Sequence, residues 1–173
     1  MDFFGVVKQR RSIRAFKSAA VDENKLQRIL ECINQAPSAG NLQSYEVYLI
    51  RDAQKKGAAL VKATLDQEFM ASAPLALVFC AHGQRAVDRY GERGTQLYSV
   101  QDATIACTYA MLAATALGLS SVWVGKFDEA AVAELAGVPE GQRPVAVLPI
   151  GYAAELPHAP ARRALTDLIH EVS

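Results

Sequence analysis

"ATIACTYAMLAATALGL", residues 103–119, runs for 17 residues without a charged side chain. Crossing a bilayer takes about 20 predominantly apolar residues. The stretch falls short of that and is richer in Ala and Thr than in Leu and Ile. It therefore reads as a central helix of a soluble core, apolar all round because every side of it is covered. The helix is expected from about Gln96 to Leu117, with Gly118 as its C-terminal stop.

A helix covered on every side needs other layers around it, and the flanking sequence supplies them. "SVWVG" (121–125) reads as a short strand, Asp128 as the N-cap of a helix ending at Gly137, and "PVAVLPIG" (144–151) as the last core strand. On the N-terminal side, "LALVFC" (75–80) follows Pro74 as a continuous apolar run, as in a strand covered on both faces. "YEVYLI" (45–50) is β-branched and aromatic, also a strand. Asp22 is placed to cap a helix to about Gln35, with Leu26, Ile29, Leu30 and Ile33 on one face. Short helices are expected at 2–9 and near 164–171, and another from Asp52 to about Leu65. Helices and strands mix without strict βαβ alternation, which predicts an α+β fold around a central sheet. No linker divides the chain, so residues 1–173 are expected to form one domain.

Eighteen Lys and Arg balance eighteen Asp and Glu. No global field points to nucleic acid or an anionic membrane, so local basic clusters carry the information. Cys32, Cys80 and Cys107 stand far apart in apolar segments, as reduced thiols of a cytoplasmic protein do. The N-terminus has its basic residues after its apolar ones, the wrong order for a signal peptide.

Four stretches are candidates for chemistry. Arg10, Arg11, Ser12 and Arg14 follow a short helix and read either as an anion site or as a solvated basic patch. "APSAGN" (36–41) and Gln43 offer small residues that let a flat ligand approach the backbone, with amide donors and acceptors beside them, or else a polar loop. Gln67 is a further polar candidate or an ordinary exposed residue. Gly125 ends a strand and either opens backbone N–H groups to a ligand or makes a turn. There is no GxGxxG after a strand, no GxxxxGK[ST] and no GxSxG, and His82, His158 and His170 have no i, i+4 partner. Dinucleotide-fold, P-loop, hydrolase-triad and metal chemistry are thereby disfavoured.

Taken in order, "RRSIRAF" (10–16), "APSAGNLQSYEVYLI" (36–50), "DQEFMASAPLALVF" (66–79), "SVQDATIACTYAMLAATALGLSSVWVGKF" (99–127), "PVAVLPIGY" (144–152) and "RRALTDLIH" (162–170) resemble the nitroreductase family of FMN-dependent oxidoreductases. The resemblance implies an α+β sandwich with a mixed, mostly antiparallel sheet, entwined as a homodimer with FMN at the interface. It places Arg10 and Ser12 on the FMN phosphate and ribityl chain, with Arg11 beside them, and Arg14 at the pyrimidine edge. Pro37, Ser38, Ala39 and Asn41 would line the ring from the other subunit, and Gln67 would bond the pyrimidine end. The backbone of Val124, Gly125 and Lys126 would lie near N5. Arg162, with Arg163, would close over the phosphate from the tail. NADH or NADPH would donate hydride to N5, and an acceptor such as a nitroaromatic, a quinone or a flavin would then take the same place, in ping-pong fashion. Relatives that destroy flavin, dehalogenate tyrosines or oxidise azolines, and a non-catalytic flavin-binding module for storage or sensing, are the alternatives. Two departures stand out. Ser44-Tyr45 replaces the frequent Pro-Trp, and the helical excursion that covers the site in larger members has no clear counterpart.

Overall fold

The computed structural model describes residues 2–172. Four strands form one sheet: β1 (Tyr45–Ile50), β2 (Leu75–Ala81), β3 (Ser120–Ser121) and β4 (Arg143–Gly151). Their spatial order is β1-β2-β4-β3 with antiparallel neighbours throughout. A parallel bridge from Ser12 to Ser121 extends the β3 edge and makes the sheet mixed. The α+β sandwich expected from the sequence is the observed fold.

Alternation along the central strands separates two cores. Leu75, Leu77, Phe79, Ala146, Leu148 and Ile150 face one side and pack on α2 (Glu23–Asn34) and α5 (Ser99–Ala116). Ala76, Val78, Cys80 and Val147 face the other and pack on α3 (Gly57–Ala63) and α6 (Glu129–Ala136). All seven residues of β2 are buried, as its unbroken apolar run requires. Helix ends follow the capping signals. The Asp22 carboxylate accepts from Lys25 N and that of Asp128 from Ala131 N, while Gly137 closes α6 at φ 68°. Asp2 caps α1 (Phe3–Gln9) in the same way.

Four expectations need correction. The central helix begins at Ser99 rather than Gln96, because a π turn at 94–98 precedes it. The strand expected at 121–125 is reduced to Ser120–Ser121 and a lone bridge between Val124 and Val147. Continuing that register sets Val122 opposite Pro149, which has no N–H to donate, so the ladder is interrupted there. The helix expected from Asp52 to Leu65 is a 3-10 turn (53–56) followed by α3, with Asp52 left-handed at φ 52° and Leu65 and Asp66 left-handed after it. An unexpected helix, α4 (Gln84–Arg93), fills the stretch between β2 and the π turn. The tail helix, α7, covers only Leu165–Leu168. Among the described residues, no helix is long and apolar enough to cross a membrane.

Candidate active site

The residues singled out from the sequence fall into two groups at opposite edges of the sheet. The first lies at the β3 edge. Ile13 N donates to Ser121 O at 3.1 Å and Lys17 N to Tyr152 O at 2.8 Å, which lays residues 12–17 along β3 and the end of β4. Ile13 and Phe16 are buried against Ala73 and Phe69, while Arg14 between them is exposed and Ser12 before them is half-buried. The backbone N–H of Arg14 donates to the Glu155 carboxylate, which fixes the segment further. Among the described residues, the guanidinium groups of Arg10 and Arg14 have no hydrogen-bond or ion-pair partner, whereas that of Arg11 donates to Lys8 O and Arg10 O. Two guanidinium groups without partners, beside one carboxylate that is engaged by a backbone N–H, leave a local excess of positive charge that attracts an anion.

Gln67 joins this edge from the 3-10 turn at 68–72, the segment that carries Phe69. Its Nε2 donates to Thr64 O at 2.8 Å and to Lys126 O at 2.7 Å. Both amide hydrogens are therefore engaged, and Oε1 is left to accept. Val124 is held to Val147 by two backbone bonds of 3.0 Å, which steadies the Gly125–Lys126 turn beside it. Gly125 lines a small cavity with Val100, Phe127 and the Glu129–Arg143 ion pair.

The second group precedes β1. Pro37, Ser38, Ala39 and Asn41 belong to a loop with three left-handed residues, Gly40, Asn41 and Gln43, at φ 55°, 59° and 50°. Ser38 Oγ accepts from Gln43 N at 2.9 Å. Asp102 on α5, 2% exposed, reaches in to accept from Ala39 N at 2.9 Å and Ser44 N at 3.3 Å. Burial first, and then the Asp102 and Glu46 charges, push the Tyr45 phenol up, and its hydroxyl donates to Ile33 O.

The two ends of the chain meet in part. Leu156, Pro157, His158 and Ala159 line a hollow with Lys8, Gln9 and Arg11. Arg162 and Arg163 lie farther along the exposed tail. Arg163 donates to Asp167 O, and no described bond joins either residue to the segment 10–14. The sequence reading does not single out Asp102, or Arg89 on α4, whose Nη1 donates to Gly40 O at 3.2 Å. The available signal was one carboxylate at the head of a helix otherwise free of charge.

The fold is an α+β sandwich with an antiparallel sheet flanked by helices, and comparison with known proteins gives its class. The profile described as "Nitroreductase family" matches residues 7–152. A Thermus thermophilus protein named NADH dehydrogenase is 30% identical over 174 residues, spanning 85% of this chain and 84% of its own. The Bacillus subtilis FMN reductase [NAD(P)H] is 29% identical, across 84% of this chain and 63% of its own. The structure of the Vibrio harveyi NADPH:FMN oxidoreductase complexed with NAD+ superposes with a TM-score of 0.87 at 26% identity, over 98% of this chain and 76% of that one. The chain belongs to the nitroreductase family.

Proposed function

We propose that the protein is an NAD(P)H-dependent FMN oxidoreductase, acting as a homodimer in the cytoplasm. One observation carries this reading. The free guanidinium groups of Arg10 and Arg14 lie at the β3 edge, while the small-residue loop 37–41 lies at the β1 edge. One chain holds the two groups apart, and two chains related by a twofold axis bring one of each together at each of two equivalent sites.

The donor set fits FMN. Arg10 and Ser12 hold the phosphate and ribityl chain, with Arg162 and Arg163 closing from the tail and Arg11 bracing the turn through its two carbonyl bonds. Arg14 balances negative charge at the pyrimidine edge, which favours the reduced cofactor. Gln67, its two hydrogens engaged, offers Oε1 to a ring N–H. The Val124–Lys126 backbone and the partner's copy of Pro37, Ser38, Ala39 and Asn41 complete the walls. Bound FMN supplies a centre that accepts and releases hydride. The chain's own part is to bind, orient and exclude water, so no side chain need serve as acid or base.

With no second nucleotide site in the sequence, donor and acceptor take turns in one place. The acceptor is a small electron-poor compound, such as a nitroaromatic, a quinone or a free flavin. Sequence similarity to proteins named FMN reductase and NADPH-flavin oxidoreductase supports this reading. Fluorescence titration of the apoprotein with FMN, paired with sedimentation analysis, tests it. One FMN per chain on a dimer is expected. A monomer that leaves FMN fluorescence unquenched would overturn it.

A further inference from the structure

The loop 38–44 poses a physical question. Three of its seven residues are left-handed, two of them not glycine, and such backbone persists only where its surroundings over-determine it. Its internal bonds are local: Asn41 N to Ser38 O, Leu42 N to Ala39 O, and Gln43 N to Ser38 Oγ. None of these ties the loop to the body of the protein. The backbone N–H of His82, just after β2, donates to Ser44 O at 2.9 Å, and two helices hold the rest of the loop from opposite polar sides.

From α5, the Asp102 carboxylate takes the N–H groups of Ala39 and Ser44, one near each end of the loop. The carboxylate is buried, which is costly for a charge without partners. Two backbone donors to the carboxylate offset that cost. From α4, Arg85 Nε donates to Leu42 O at 3.3 Å and Arg89 Nη1 to Gly40 O at 3.2 Å. The approach is close. A Cβ on Gly40 would stand 2.5 Å from the Tyr90 hydroxyl and 2.7 Å from Arg89 Nη1. The amides of Ala39 and Ser44 are thus taken by an anion, and the carbonyls of Gly40 and Leu42 by cations.

We propose that Asp102 and Arg89 are positioning residues that hold loop 38–44 in its ligand-lining shape. Neither touches the ligand; both act through the backbone of Ala39, Gly40 and Ser44. This rests on the proposed placing of residues 37–41 against FMN.

The test uses the full chain as wild type, Asp102→Asn and Arg89→Ala. Asp102→Asn keeps the shape of the side chain but turns one acceptor into a donor. Hydrogen exchange on the apoproteins reads the clamp without any cofactor. In Asp102→Asn, exchange in the peptide 38–44 is expected to rise at least roughly tenfold, with β2 and β4 unchanged. FMN affinity is expected to fall roughly ten- to a hundredfold, as for loss of a charge-assisted bond. For Arg89→Ala, on the surface, the expected loss is about threefold, in line with an exposed contact, with unaltered thermal stability.

Unchanged exchange at 38–44 would overturn the clamp. Faster exchange spread through β2 and β4 would overturn it too, since Asp102 would then support the fold as a whole. Wild-type protein that binds FMN together with an Asp102→Asn variant that binds it equally well would refute the link from clamp to ligand alone. Failure of the wild type to bind FMN would instead refute the function proposed above, and exchange would still decide the clamp. If Asp102→Asn does not fold, Arg89→Ala carries the test, and unchanged exchange and affinity in that variant overturn the proposal.

Discussion

Replacing Gln67 by Ala tests whether the β3 edge is built as described. The side chain ties the turn after α3 to the Gly125–Lys126 turn through bonds of 2.8 and 2.7 Å, beside the backbone bond from Asp128 N to Ala63 O. Thr64 is fully buried, so its carbonyl loses a donor where water cannot readily replace it. That loss costs about 1–3 kcal/mol, and the more exposed bond to Lys126 about 0.5–1 kcal/mol. A total of about 2 kcal/mol lowers the melting temperature of a chain this size by about 4–8 °C. Scanning calorimetry of the apoprotein measures the shift, and fluorescence quenching measures FMN retention in the same sample. Both are expected to fall. A melting temperature within about 1 °C of wild type, a shift worth less than half a kcal/mol, would refute the assigned bonds. A lowered melting temperature with undiminished FMN affinity would separate Gln67 from the ligand.

Other outcomes follow from the same geometry. Arg10→Ala or Arg14→Ala should weaken FMN binding by roughly ten- to a hundredfold, with Lys17→Ala close to wild type by equilibrium titration. Gly151→Ala places a Cβ 2.6 Å from Pro74 Cδ and 3.1 Å from the Phe16 ring, so it should cost about 1–3 kcal/mol in denaturant unfolding and displace the arginine segment. Ser44 Oγ is buried with no partner among the described residues, and Ser44→Ala should leave stability unchanged or raise it by up to about 1 kcal/mol in urea melts. Burial pushes the Cys80 thiol up to about 12, with the Glu46 charge adding to it, and burial drives Cys107 well above its ordinary value. Both stay protonated at pH 8, so a thiol reagent should modify half-buried Cys32 first and the other two only after unfolding.

The fold was legible wherever a pattern spanned a whole element. The i, i+3, i+4, i+7 set in α2 and the apolar runs of β2 and β4 mark residues whose burial has a single period, and Asp22, Asp128 and Gly137 mark the ends. Legibility failed where tertiary contacts decide. "QRAVDRYGERGTQLY" (84–98) is polar, carries two glycines and buries little, so few apolar residues mark α4 and the π turn as core elements. The break after Ser121 is set by Pro149 on another strand, which no local window contains.

The site shows the same division. Arg10, Ser12 and Arg14 stand out as candidates because their types and crowding point to an anion. Asp102 does not, because its role comes from amides more than fifty residues away in sequence. The order of the strands was likewise beyond local reading, and it is what sets the arginines and the small-residue loop at opposite edges.

The most direct measurement is an anaerobic visible spectrum of the protein loaded with FMN and titrated with NADH and then NADPH. Prompt bleaching of protein-bound flavin, followed by return of its colour on adding a quinone or nitroaromatic, is the result expected of one site serving donor and acceptor in turn. Flavin that binds yet stays oxidised through both titrations would contradict it.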